Sequence, residues 1–189
     1  MNRHPLVRAA TLVSLIASAA VLSACGSMAP AAMAPKIDNA SLPEAVRVPA
    51  GQRQTMFTVG KGELTYECRA KKDMPSAMEW AFVGPVAGLT DAGGKAVGKY
   101  YAGPTWESMD GSKVTGKQVA VAPAMAGSIP LQLVKADPAT GMGAMQGVSY
   151  IQRLNTKGGV APAEACSSDK LGQRRVVAYQ ADYVFYAAN

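Results

Sequence analysis

The residues best suited by type and spacing to do chemistry lie in one stretch, Tyr100-Tyr101-Ala-Gly103-Pro104-Thr-Trp106-Glu107-Ser-Met-Asp110-Gly111-Ser-Lys113. Its aromatics offer flat faces of the kind that stack on sugars or other rings. Asp110-Gly111 reads as a two-residue turn, whose positive φ angles suit a type I′ hairpin. That turn sets Met109 opposite Ser112, Glu107 opposite Val114 and Trp106 opposite Thr115. Glu107 then shares a face with Met109 and Val114, and Trp106 shares one with Lys113 and Lys117. If the Met109/Val114 face is the core, Glu107 points inward and needs a cation, because an unpaired buried carboxylate is costly. Arg69 and Arg153 are the candidate partners. Trp106 would then point outward beside Tyr100 or Tyr101 as an aromatic platform. The reverse facing buries Trp106 and leaves Glu107 solvated, and the usual burial of tryptophan favours it. The candidate binding residues are therefore Tyr101, Trp106, Glu107, Arg69 and Arg153.

Other chemistries have less support. Glu67, Glu79, Glu107 and Asp110 could supply a carboxylate pair for glycoside hydrolysis, which needs no histidine, but scattered acids are usually surface groups. The C-terminal Tyr179, Tyr183, Phe185 and Tyr186 read as core plus sheet surface before they read as a ligand cage. Gly141-Met-Gly143-Ala-Met-Gln-Gly147 has the wrong spacing for a dinucleotide fingerprint and precedes a strand, so it reads as a loop. The one histidine is His4, inside the N-terminal signal described next. Its removal leaves no Ser-His-Asp or Cys-His pair and none of the commonest metal ligand. No Asp-x-Asp-x-Asp-Gly calcium loop occurs. No metal or cofactor is expected.

Residues 1–24 read as an address. Arg3 and Arg8 precede an apolar stretch, Ala9–Leu22, of about fourteen residues, too short to span a bilayer but suited to a secretory signal. It ends Leu22-Ser23-Ala24-Cys25, which resembles a bacterial lipobox. By that resemblance Cys25 is lipidated, the signal is cut before it, and the protein is held at a membrane by its acylated N-terminus. More than one acyl chain is needed for a stable anchor. Gly26 and Ser27, with no Asp after the cysteine, point to the outer membrane, facing the periplasm or the surface. Losing Arg3 and Arg8 removes two charges from the formal +6. The remaining charges are interspersed, with only short pairs at Lys71-Lys72 and Arg174-Arg175, so no nucleic-acid footprint is present.

Residues 25–50 are rich in Ala and Pro without a hydrophobic period, and read as a flexible tether at about 3.1 Å per residue where extended. Cys68 and Cys166 remain. In an oxidising compartment an even pair reads as a disulfide, and no Cys-x-x-Cys or neighbouring histidine favours a reactive thiol.

From residue 51 to residue 189 the pattern is β. Glu63–Arg69 alternates with Leu64, Tyr66 and Cys68 on one face. Met78, Trp80 and Phe82 alternate up to Gly84-Pro85. Further runs are Val97–Ala102, Thr105–Met109, Ser112–Val121, Ile129–Leu133, Val148–Leu154 and Val177–Tyr186. No three-turn helical period follows residue 25. Seven to ten short strands predict an all-β fold, a single antiparallel sandwich or barrel after a lipoprotein signal and tether.

These residues together also resemble a family. Leu64-Thr-Tyr66-Glu67-Cys68-Arg69, Trp80, Phe82, Pro85, the Tyr101-Ala-Gly103-Pro104-Thr-Trp106-Glu107 stretch with Asp110-Gly111-Ser112, Ile151-Gln152-Arg153, the Thr156-Lys-Gly158-Gly159 turn with Cys166, and Tyr179-Gln-Ala-Asp182-Tyr183-Val-Phe185-Tyr186 are similar to domain-of-unknown-function family 3455. That family occurs in secreted or lipid-anchored proteins of proteobacteria and fungi. The resemblance implies a single secreted domain over roughly residues 45–189 and carries no activity, substrate or catalytic residue.

The function expected from all this is binding of a cell-envelope glycan or a small molecule, with no enzymatic activity favoured. The alternatives are a carboxylate-based hydrolase and a structural envelope protein with a protein partner. The binding expectation requires a hollow lined by aromatic and polar side chains. The oligomeric state is not legible.

Overall fold

The computed structural model describes Met1 and residues 33–189. The lipobox and Cys25 lie outside the described residues.

Eight strands form one antiparallel sheet that closes on itself as a barrel. They are β1 Gln52–Lys71, β2 Met74–Thr90, β3 Ala96–Tyr101, β4 Thr105–Ser108, β5 Lys113–Ala122, β6 Leu131–Ala136, β7 Val148–Gly158 and β8 Arg174–Ala188. Each strand pairs with its sequence neighbour, and β8 pairs with β1 to close the ring. β1 and β2 are longer than the short runs expected. Gly84-Pro85 does not end β2: the ladder passes through it, with a bulge where Thr65 faces Gly84 and Tyr66 faces Phe82. A bulge lets one extra residue through without breaking the strand.

An eight-stranded barrel has an interior just wide enough for side chains. Here they are Trp106, Tyr100, Tyr183, Phe185, Leu89, Ile151, Val114 and Val134, all buried. Tyr100 stacks on Trp106 with ring centroids 4.8 Å apart, and Tyr183 meets Tyr100 at 5.0 Å and Trp106 at 5.7 Å. Room for the Tyr183 ring comes from Gly60 on the neighbouring strand, where a Cβ would lie 2.7 Å from that ring.

β8 has apolar residues on both faces. Tyr179, Ala181, Tyr183 and Phe185 point inward, while Val184 and Tyr186 belong to a second cluster with Phe57, Leu133 and Leu154. The second cluster is on the outer wall and is covered by the chain preceding β1. Two short 3-10 turns, Asn39–Ser41 and Glu44–Val46, bring Ile37, Leu42, Val46 and Val48 onto it. From Ile37 onward the stretch read as a tether is therefore a strap packed on the barrel. Its apolar residues follow no regular period, because they fit a curved patch and not a helix face. Gln152, fully buried, fastens the strap: its Nε2 donates to the Val46 carbonyl at 2.6 Å, and its Oε1 accepts from Tyr186 Oη at 2.7 Å.

The two ends of the barrel differ. One end carries the β2–β3 and β4–β5 turns and the β6–β7 loop. That loop folds over it with Met145 buried in the core, so this end is closed. Asp110 pins the loop by accepting from Ser112 Oγ at 2.6 Å, Ala144 N at 2.8 Å and Ser112 N at 2.9 Å. Gly141–Gly147 is thus part of a plug. The Ser112 hydroxyl, followed by the Ala144 and Ser112 amides, pulls the Asp110 carboxyl down to about 2.

Replacing Gln152 by Ala strands the Val46 carbonyl and the Tyr186 hydroxyl. It should lower unfolding free energy by about 1–3 kcal/mol in urea titration and speed tryptic cleavage after Arg47. Asp110 has a depressed value in the fold, so its contribution is fully present above its unfolded value near 4 and is lost as pH falls through about 2. Asp110→Asn should have a lower Tm than wild type at pH 7, and the gap should close between pH 4 and pH 2.

Candidate functional site

The residues singled out in the sequence do not converge. The β4–β5 connection is one residue longer than a two-residue turn: Ser108 N donates to Ser112 O, and Met109-Asp110-Gly111 forms the loop, with Gly111 at φ 85°. The register is therefore Trp106 opposite Val114 and Glu107 opposite Lys113. A one-residue slip moves every side chain to the other face. Trp106 is 1% exposed inside the barrel and cannot serve as a platform. Its indole N–H has no acceptor among the described residues. The aromatic packing of the ring thus holds it against a cost of about 1–3 kcal/mol.

Glu107 points to the outer wall. It accepts from Tyr101 Oη at 2.7 Å and pairs with Lys99 and Lys113, each at 3.3 Å. The Tyr101 hydrogen bond first, then the lysines, hold its carboxyl below the usual range. Tyr101 and Glu107 thus form a charged cluster on the outside, satisfied within itself. Neither Arg69 nor Arg153 is their partner. Arg69 is exposed on the β1–β2 hairpin opposite Glu79.

Of the five candidates, Arg153 alone reaches the hollow at the open end of the barrel. The open end of the barrel, rimmed by residues 102–104, 123–130 and 159–173, contains a cavity of about 240 Å³. Its floor and walls are Tyr66, Tyr100, Tyr179 and Tyr183, with Gln118, Gln132 and Arg153 above them. A second hollow of about 170 Å³ adjoins it and shares Phe82, Tyr100, Gln132 and Arg153. The polar groups come from β5, β6 and β7. Gln118, Gln132 and Arg153 each stand two residues from an inward apolar side chain or core glycine: Gly116, Val134 and Ile151. They are inward-facing positions at the mouth, where the core gives way to solvent. That parity was present in the sequence, but it becomes informative only when the three strands are adjacent.

The phenols are held firmly. Tyr66 Oη donates to the Gly159 carbonyl at 2.7 Å, and Tyr179 and Tyr183 hydroxyls lie 3.3 Å apart. Burial pushes Tyr179 up to about 12 and Tyr183 well above its ordinary value, while the nearby Arg153 charge acts in the opposite sense. All four remain neutral hydroxyls at physiological pH. Gln132 Nε2 donates to Gln118 Oε1 at 2.6 Å.

The mouth is stapled. Cys68 on β1 is bonded to Cys166 in the β7–β8 connection, with Cα atoms 5.4 Å apart. Trp80 Nε1 donates to the Glu164 carbonyl at 2.8 Å, and Glu164 accepts from Lys170 and Arg175. The long connection is thereby laid against the β1–β2 hairpin beside the hollow.

Besides a groove of about 580 Å³ on the strap at residues 36–40 and Arg47, which no aromatic side chain lines, two other hollows are less suited to a ligand. The largest, about 770 Å³, is the seam between the strap and the start of β1. Its neutral polar side chains are already used, among them Asn39 on Val48, Gln54 on Pro35 and Ile37, and Tyr186 on Gln152. The other, about 320 Å³, lies against the Glu107 cluster on the outer wall. Among the described residues no carboxylate lines the mouth, so Glu67, Glu79, Glu107 and Asp110 provide no acid pair there.

Fold and site define a small closed antiparallel barrel, plugged at one end and open at a disulfide-stapled, tyrosine-lined mouth. The chain belongs to the family described as proteins of unknown function, DUF3455, whose model matches residues 49–187. No curated protein and no solved structure matches it.

The disulfide closes a span of 98 residues, for which the loop-entropy model gives roughly 4–5 kcal/mol and measured cases often less. Replacing Cys68 and Cys166 together by Ser should lower stability in guanidinium by about 2–4 kcal/mol. The far-UV spectrum of the barrel should be preserved.

Proposed function

We propose that this is a lipid-anchored envelope protein whose barrel mouth binds a small polar molecule or the end unit of a cell-envelope glycan. The anchoring half rests on the Leu22–Cys25 lipobox resemblance and agrees with a chain that carries the Cys68–Cys166 disulfide. The binding half rests on one observation: at the mouth, and nowhere else among the described hollows, aromatic faces and several inward polar groups converge on open space. Ligand sites are hollows of this character, mostly apolar or aromatic with a few placed polar groups. The hollow is below the ~300–1,000 Å³ of drug-sized sites, which favours a single small unit over a polymer tract. With no carboxylate at the mouth among the described residues, binding and not acid–base hydrolysis is the reading.

Thermal denaturation of the purified protein with envelope-glycan fragments and small metabolites tests it. A ligand at about one hundred times its Kd adds about 2.7 kcal/mol, which for a domain of this size raises Tm by several degrees. Gln132→Trp, which fills the hollow, should abolish the rise, and Lys99→Ala on the outer wall should leave it. The absence of a shift with every compound, or a shift that survives Gln132→Trp, contradicts the reading.

A further inference from the structure

We propose that the occupant of the mouth carries an anionic group, a carboxylate or phosphate on a hydroxylated ring, seated on the free edge of the Arg153 guanidinium. This rests on the mouth being a ligand site and adds the chemical class of the ligand.

Arg153 sits at an inward position on β7, opposite Gln132 on β6 and Tyr183 on β8. Its Nε and Nη2 both donate to the Pro130 carbonyl, at 3.2 and 2.9 Å. A guanidinium has five N–H donors in a planar fork. One carbonyl occupies the Nε side and fixes the plane. The Nη1 hydrogens and one on Nη2 remain, and that edge can take a carboxylate or phosphate oxygen pair in bidentate fashion.

The charge has no counter-ion among the described residues. None of the ion pairs among the described residues involves Arg153. The lining of both mouth hollows contains no Asp or Glu. Five other cations are paired, Lys99 and Lys113 with Glu107, Lys170 and Arg175 with Glu164, and Arg174 with Glu67; the remaining cations among the described residues, such as Lys117 and Lys157, are exposed, whereas Arg153 is partly buried. Arginine stays charged under all ordinary conditions. A partly buried charge withdrawn from water without a partner is unfavourable, and an incoming anion would relieve it.

The surrounding groups suit the rest of such a ligand. Tyr66, Tyr100, Tyr179 and Tyr183 form a neutral wall, and Tyr179 and Tyr183 are kept protonated by burial. Gln118 and Gln132 add amide donors and acceptors for hydroxyls. Phe82, half-exposed and edge-on to Tyr66 at 5.7 Å, gives the rim an apolar face for a ring. A cationic ligand would meet an uncompensated guanidinium, and a neutral one would leave it unpaired.

Calorimetric titration of the purified, disulfide-intact protein with glucuronate, glucose 6-phosphate and glucose at low ionic strength tests the inference. At least one anion should bind tenfold or more tightly than glucose, and whichever does distinguishes a carboxylate from a phosphate ligand. Arg153→Gln should weaken that anion at least tenfold, to the level of glucose. Arg153→Lys, which keeps the charge without the fork, should fall between. Equal binding of glucose and the anions, or unchanged anion affinity in Arg153→Gln, overturns the anion inference. The mouth itself still stands in that case if Gln132→Trp blocks the binding that is seen. Failure of all three compounds to bind removes both the inference and the site reading beneath it.

Discussion

The structure depends on β8 being buried on both faces. Its inward face supplies Tyr179, Ala181, Tyr183 and Phe185 to the barrel interior, and its outward face presents Val184 and Tyr186. A strand with apolar side chains on both sides needs cover on both sides. Closure against β1 provides one, bringing Tyr183 over Gly60 and against Tyr100 and Trp106. The strap from Ile37 to Val48 provides the other, anchored through the buried Gln152. The same closure places Tyr179 and Tyr183 in the wall of the mouth, so the packing constraint and the candidate site share side chains.

The polarity of the barrel follows from how its ends are finished. At one end the β6–β7 loop inserts Met145 and is pinned to Asp110, which completes the core. At the other the inward positions turn polar one after another on β5, β6 and β7, and the connecting segments are held to the side by the disulfide and by the Thr156–Ile129 and Arg153–Pro130 hydrogen bonds. Inward polar groups at a barrel end face either a plug or a solvent-filled hollow. Here they face a hollow, and the strongest of them, Arg153, has a backbone carbonyl but no carboxylate partner among the described residues.

Much of this was legible in the sequence. The period-two alternation of Glu63–Arg69 and Val177–Tyr186 indicates strands, and the even cysteine pair, read with the expected export signal, indicates the bond between Cys68 and Cys166. The closed antiparallel sheet falls within the expected sandwich or barrel. The site was less legible, for three physical reasons. The Asp110-Gly111 signal fits both a two-residue and a three-residue loop, and the residue between those options decides which way Trp106 and Glu107 face. The strap follows the contour of the barrel wall, so Ile37, Leu42, Val46 and Val48 have no period to detect. The mouth is assembled from strands far apart in sequence, and Tyr66, Tyr100, Tyr179 and Arg153 become neighbours only through barrel closure. Of the five candidate residues, Arg153 alone reaches that hollow, for a reason unrelated to Glu107.

The central claim, that the open end is where this protein meets its ligand, is tested most directly by mapping backbone and side-chain NMR shifts during titration with glucuronate. The account predicts that the perturbed signals cluster on Tyr66, Tyr100, Gln118, Gln132, Arg153 and Tyr179, with the Arg153 guanidinium protons among the largest movers. Perturbations confined to the strap seam around Asn39 and Gln54, or to the Lys99–Glu107–Lys113 cluster on the outer wall, would contradict it.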